Sequence, residues 1–297
     1  MALDLGTART RTSRGDAIAD RPTEVPAASS QDSNAWVRPL RHGMVADPSA
    51  CLRLVREALQ DARPPDGEPL EGVLVGVPLA ATQSDRRAVH TAVREAIAAH
   101  EATAPAAAHE ATARAVLEAT AAPAARREAA AAPAALAETR ASGAGDPAAA
   151  PVWLVDEPVA AAAGAGLDVA GPRPFLLLDV GAGIVEAVAV RGGVVRDAAA
   201  LQLGATTGTG LPPYALDGVV EMTAALVRRL PGDVRRAVPS LVVTGGGARQ
   251  ERLLQRLRQA LRMPVHAAPE PEHATVRGLS YLARRPDLLP RITRHGR

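Results

Sequence analysis

Two short runs in the chain have the residue types to handle a phosphate group. Asp4-Leu5-Gly6-Thr7 and Asp179-Val180-Gly181-Ala182-Gly183 each close an apolar stretch with an aspartate followed by a glycine turn. Glycine lets the backbone come close to a ligand, and successive N–H groups in such a turn form an anion-binding concavity. The aspartate cannot bind phosphate itself, but it can hold Mg2+ through water, which screens its charge. A third run, Thr244-Gly245-Gly246-Gly247, stands between a strand pattern and a helical one. Its glycines admit a nucleotide, and the helix N-terminus favours negative charge. One such run alone is a weak signal. Three in this order, with Glu157-Pro158 between the first two, form a far more specific pattern, in which two loops clamp a triphosphate between them.

These runs need strands to carry them. Residues 2–5, 72–77, 152–155, 175–180, 186–190, 194–195, 241–244 and 264–266 read as strands, several of them continuous apolar runs bounded by glycine or proline. Helical spacing appears over 47–62, 82–99 (with Thr82 as N-cap), 157–167, 215–230, 248–261 and 271–283. The two Asp-x-Gly runs each end one strand and open another, so a duplicated α/β unit is the economical explanation. Residues 20–36 read as a connector, and the tail 284–297 as a frayed arginine- and proline-rich end. In 101–150, alanine fills 25 of 50 positions and Pro105, Pro123, Pro133 and Pro147 interrupt it. That stretch reads as a low-complexity insertion with broken helix. The expected organisation is a first half over 1–100, the insertion over 101–150, a second half over 151–283, and the tail.

Composition narrows the functional classes. The 34 basic residues are all arginine, the net charge is +2, and apolar residues make up 47% of the chain. So small a charge argues against nucleic acid as a partner. Aromatics are 2%, so the core must come from Ala, Val and Leu. The single cysteine, Cys51, excludes an internal disulfide and reads as a small buried hydrophobe. His42, His90, His266 and His273 have no metal-ligand spacing and read as surface or cleft histidines. No run approaches the ~20 apolar residues of a membrane span, and no secretory signal opens the chain. The expected location is the cytoplasm.

The runs ALDLGTART (2–10), RPLRHGMVAD (38–47), GVPLAATQSDRRAV (76–89), VDEPVAAAAGAGL (155–167), LLLDVGAGIVEAVAV (176–190) and VVTGGGARQERL (242–253) follow the order and wording of MreB. The chain thus resembles that rod shape-determining family of the actin and Hsp70 ATPase superfamily, over most of its length outside 101–150 and the tail. The resemblance implies a duplicated actin-like (RNase H-like) ATPase fold that binds ATP and Mg2+ in an inter-domain cleft and acts in cell shape. Asp4, Gly6 and Thr7 would form the first phosphate loop, and Asp179, Gly181 and Gly183 the second. Gly245, Gly246 and Gly247 would form the adenosine loop. Asp4 and Asp179 would lie at the metal, and Glu157 would orient the attacking water as a weak ATPase.

The chain also departs from that family. Where the family's second loop is typically Gly-Gly-Gly-Thr-Thr-Glu, this chain has Gly181-Ala182-Gly183-Ile184-Val185-Glu186, without either threonine hydroxyl. Residues 27–36 and 204–240 are too short for the family's two outer subdomains, leaving the two inner ones. The implied partners are further copies of the chain or a full-length MreB-type homologue. A second reading is a pseudo-ATPase scaffold or adaptor. An Hsp70-like or sugar-kinase enzyme fits less well, for want of a C-terminal peptide-binding domain, a lysine and a candidate base. The N-terminal membrane helix of some family members is missing, because the first strand starts at residue 2. The five arginines of the tail could make peripheral contact with anionic lipid.

Overall fold

The computed structural model describes residues 1–27, 35–62, 70–102, 150–203 and 211–292. Its frame is one unit built twice. In the first copy, β1 (Ala2–Leu5), β2 (Arg9–Arg14) and β3 (Ala17–Pro22) form an antiparallel meander. Two small hairpins follow, β4 (Val25–Pro26) with β5 (Trp36–Val37), and β6 (Leu40–Arg41) with β7 (Met44–Val45). Part of the expected connector over 20–36 is therefore strand, because Val25 is fully buried and anchors the first hairpin to the core. Helix α1 (Pro48–Asp61) leads to β8 (Val73–Val77), then α2 (Gln83–Ala102) and β9 (Val152–Asp156). The sheet order is β3-β2-β1-β8-β9, with β1, β8 and β9 parallel.

The second copy opens with α3 (Glu157–Gly164), then β10 (Phe175–Val180), β11 (Ile184–Arg191) and β12 (Val194–Gln202) as a second meander. Helices α4 (Pro213–Arg229) and α5 (Gly232–Ala237) precede β13 (Leu241–Thr244). Helix α6 (Glu251–Leu261), β14 (Val265–Ala267), α7 (Ala274–Ala283) and α8 (Leu289–Ile292) complete it. The order β12-β11-β10-β13-β14 repeats the first sheet strand for strand. Of the alanine-rich insertion, residues 103–149 lie outside the described residues, as do 204–210 of the bridge.

Local chemistry accounts for the helix starts. Asp47 caps α1 by accepting from the Ala50 N–H at 2.9 Å, with Pro48 at the first helical position. Thr82 and Asp85 form a reciprocal capping box at α2, at 3.2 and 2.9 Å.

Side-chain alternation sorts the strands into three core layers. Leu3, Leu5, Val73, Val75 and Val77 face outward onto α1 and α2. Leu176, Leu178, Val180, Leu241 and Val243 face the opposite way, onto α4 and α6. Ala2, Leu74 and Val155 of the first sheet and Phe175, Leu177 and Val188 of the second face each other across α3 and α7. The end of the chain joins this central layer. Leu288, Leu289 and Ile292 are buried in it, and the Arg291 side chain donates to the Ala170 carbonyl at 3.2 Å. The tail is therefore docked through residue 292, not frayed. Its three apolar residues find a binding face that a reading of arginine and proline content did not anticipate.

Candidate nucleotide cleft

The same alternation places the acidic residues. Asp4 follows Ala2 by two positions and Asp179 follows Leu177 by two, so both point from their sheets into the central layer. Cross-strand partners share a face, so Arg11 opposite Asp4 and Glu186 opposite Asp179 point there too. Glu157, the first residue of α3, enters from the layer itself, next to the end of β9. The structure thus brings Asp4, Glu157 and Asp179 together, and adds Glu186 and Arg11.

All four carboxylates are buried. Burial pushes Asp4 up to about 7, against the pull of the Arg11 guanidinium and with help from Asp179 and Asp20. Burial also raises Asp179, opposed by a 2.7 Å hydrogen bond donated by the Thr244 hydroxyl and by Arg11. Glu186 rises to about 7 through burial, although it accepts the backbone N–H groups of Ala80 at 2.9 Å and Leu79 at 3.2 Å. Those two bonds tie the second sheet to the turn before α2. Arg86 holds the other side of that turn, donating to the Pro78 carbonyl and pairing with Asp156 at 2.5 Å. Glu157 is raised well above its ordinary value, first by burial and then by Asp4, Glu186, Asp179 and Asp156. It is 7% exposed, and its Oε1 has no hydrogen-bond partner. A buried, unpartnered carboxylate oxygen costs free energy and marks a place where a ligand or water belongs.

The glycine loops surround this cluster. A Cβ on Gly6 would meet the Arg9 carbonyl at 2.6 Å, and one on Gly181 the Ile184 carbonyl at 2.9 Å, so both first glycines close equivalent tight hairpins. Gly183 lies against Thr7 of the first loop, where a Cβ would stand 2.4 Å from the Thr7 hydroxyl oxygen. Thr7 Oγ1 in turn accepts the Gly43 N–H at 2.8 Å. The Gly183 carbonyl lies 2.7 Å from His42 Nδ1, so His42 is a cleft residue at the loop junction. The third loop packs on the second. Gly245 adopts φ 77° and a Cβ on it would meet the Val180 carbonyl at 2.4 Å, while one on Gly247 would meet Val180 Cγ1 at 2.2 Å. Gly246 is different: it is exposed and nothing stands within 4 Å of its Cβ position. It is the residue of this loop with open space beside it.

The sequence reading missed Arg11, Glu186 and Thr244 as site residues. The available signal was the register of each hairpin: counting out from the Asp-x-Gly turns places Arg11 and Glu186 opposite the two aspartates. Thr244 opens the third run, but only the β10–β13 pairing shows that it bonds Asp179.

Among the described residues, no three of His, Cys, Asp and Glu are placed to hold a metal ion. Thr244 already bonds Asp179, and Arg11 faces Asp4 at 3.8 Å. The described residues therefore offer Mg2+ no cage of their own. A Mg2+ ion here would rest on nucleotide oxygens and water, with contact from one or both aspartates. Ile184 and Val185, which stand where the family has hydroxyls, are buried hydrocarbon. No described helix is long and apolar enough to cross a membrane.

No protein-family model matches the sequence, and no curated protein matches it. Solved structures do. MreB5 of Spiroplasma citri bound to ADP is 14% identical, with a TM-score of 0.68 over 97% of this chain and 97% of that one. The same protein bound to AMPPNP gives 0.66 at 14% identity, over 96% of this chain and 95% of that one. The MamK double helical filament gives 0.64 at 14% identity, over 95% and 97%. At that identity the likeness speaks for the fold: this chain has the actin-type α/β fold in the form that MreB and MamK share.

Proposed function

We propose that the cleft between the two sheets binds an adenine nucleotide by its phosphates, and that the protein is an actin-like cytoskeletal element acting in cell shape or envelope morphogenesis. The observation that carries the reading is the convergence of three glycine loops on buried Asp4, Asp179 and the unpartnered Glu157. Like-folded MreB5 binds ADP and AMPPNP, and like-folded MamK forms a double helical filament. On this reading the N–H groups of the Gly6–Thr7 and Gly181–Gly183 turns receive the phosphate oxygens, and Gly246 lies against the adenosine. Mg2+, when bound, supplies charge neutralisation between the phosphates and the aspartates. On this reading Glu157, whose pKa is raised by burial and then by the neighbouring acids, orients water beside the terminal phosphate. Hydrolysis is slow, because the two lost hydroxyls remove hydrogen bonds worth about 1.5–3 kcal/mol each to a charged group. Self-association into filaments is the mode of action this reading carries. Burial of Ile184 and Val185 favours a second reading, a scaffold that joins filaments of a fuller homologue without turning over ATP.

The test is equilibrium binding of a fluorescent ATP analogue in Mg2+. Gly246→Val is expected to weaken binding about tenfold or more while leaving the melting temperature unchanged, because its side chain grows into open space. Asp4→Ala should weaken binding as well. A parent protein that binds no analogue and gains no thermal stability from millimolar nucleotide would leave only the scaffold reading.

A further inference from the structure

The two halves repeat each other strand for strand, yet at one position that faces the cleft they carry opposite charges. Opposite Asp179 stands Glu186, and opposite Asp4, at the equivalent register, stands Arg11. The Arg11 side chain is mostly buried, 14% exposed, on the inner face beside the carboxylate cluster. Its orientation is fixed from behind: Asp20 on β3 accepts its Nε at 3.2 Å, and Arg9 holds Asp20 from the other side at 2.6 Å. Nη1 is left pointing at Asp4 from 3.8 Å, beyond hydrogen-bond range, so the forward edge of the guanidinium is not used up on that carboxylate. Its field reaches both aspartates, since it favours the ionised form of Asp4 and of Asp179. The unpartnered oxygen of buried Glu157 lies in the same cluster and independently marks a place for a ligand.

A divalent cation in such a cleft has two tasks: to neutralise the carboxylates and to bridge them to phosphate. Asp179 is already engaged by Thr244, and the described residues supply no three-ligand group. Arg11 meets both requirements from within the chain. A guanidinium presents a planar fork that matches two phosphate oxygens and carries a permanent charge. We propose that Arg11 is a built-in counter-cation of the cleft, which contacts the phosphates of the bound nucleotide and makes that binding largely independent of divalent metal. The proposal rests on the nucleotide reading above.

The full-length chain is titrated with the fluorescent ATP analogue in excess Mg2+ and again in EDTA, as parent, Arg11→Lys and Arg11→Leu. The parent is expected to bind in EDTA within about threefold of its affinity in Mg2+, and Arg11→Leu to lose about tenfold or more in EDTA with a smaller loss in Mg2+. Arg11→Lys keeps the charge without the fork and should fall between them, with a far-UV spectrum and melting curve like the parent's. Binding by the parent in Mg2+ that disappears in EDTA overturns the Arg11 proposal and leaves the nucleotide reading standing. Equal binding of parent and Arg11→Leu in EDTA does the same. Absence of binding by the parent in both buffers overturns both. Should Arg11→Leu fail to fold, the parent's own comparison of the two buffers and the Arg11→Lys titration still decide the matter.

Discussion

Gly278→Ala is expected to destabilise the protein by about 3 kcal/mol, near the upper end of the usual cost of overpacking a core. The reason lies in the crossing of α3 and α7, the two helices between the sheets. A Cβ on Gly278 would stand 1.6 Å from the Ala160 carbonyl oxygen, and one on Gly164 would stand 1.9 Å from the Ala274 carbonyl oxygen. Both obstacles are backbone, so no side chain can rotate away. Helix separation depends on the residues at the contact, and here only hydrogen fits. One methyl group would push apart helices that pack against both sheets, opening gaps around Val276, Leu279 and Ala160–Ala162. At 2–4 °C per kcal/mol, thermal unfolding should shift down by about 6–12 °C. Gly164→Ala should act similarly, and the double variant by less than the sum, because the two methyls would force the same separation. A Gly278→Ala protein that melts with the parent would refute this close crossing. It would also undercut the placement of Glu157, which starts α3.

Glu157→Gln is expected to do the opposite and stabilise the protein at alkaline pH. Glu157 is buried with an unpartnered oxygen among Asp4, Glu186 and Asp179. Its pKa in the fold lies well above the ordinary 4.5, because burial and four neighbouring acids oppose its charge. The folded state therefore binds a proton that the unfolded chain releases. That contribution is complete below about 4.5 and is lost as pH rises toward the raised value. Asp4 and Glu186, both pushed to about 7, add the same sign through neutral pH. The parent should accordingly lose stability from pH 5 to pH 9. Glutamine keeps the shape without the charge and removes one repulsive partner from Asp4. Its advantage over the parent should grow across that range to about 2 kcal/mol, the scale of an unsatisfied buried polar group. Melting curves at several pH values measure it. A variant less stable than the parent at pH 9 would show that Glu157 has a stabilising partner in the fold. In the presence of nucleotide the difference should shrink, because the ligand gives the carboxylate a partner.

The conflict between stability and charge in this cleft fits a binding site better than a structural core. Several buried acids held near one another destabilise an empty fold, and sites built for function commonly carry such strain. The Glu186 bonds to Leu79 and Ala80 show one way this chain contains it: an acid from one half is satisfied by backbone N–H groups of the other.

Much of this was legible in the residues alone. Continuous apolar runs such as residues 175–178 and 73–75 specify buried strands, because only a strand covered on both faces tolerates such a run. Asp47-Pro48 and Thr82 with Asp85 specify where α1 and α2 begin, since capping is decided within four residues. The order of three Asp- or Thr-led glycine turns gave the duplication and the loops of the cleft, because hairpin turns are local chemistry. Long-range packing decided the rest. Hairpin register alone can set Arg11 opposite Asp4, but nothing near it in the chain announces that Asp20 anchors it. The hydroxyl of Thr244 meets Asp179 across 65 positions. Leu288, Leu289 and Ile292 looked like part of a frayed end because the core layer that buries them is assembled from both sheets and reaches back to residues as distant as Ala2 and Phe175. Gly278 and Gly164 read as ordinary small residues until two helices cross at them. The sequence by itself determined the elements and the loop chemistry, which depend on neighbours in the chain. The tertiary structure decided which charges meet in the cleft and how closely the halves pack, because those depend on pairings that only the folded chain brings within reach.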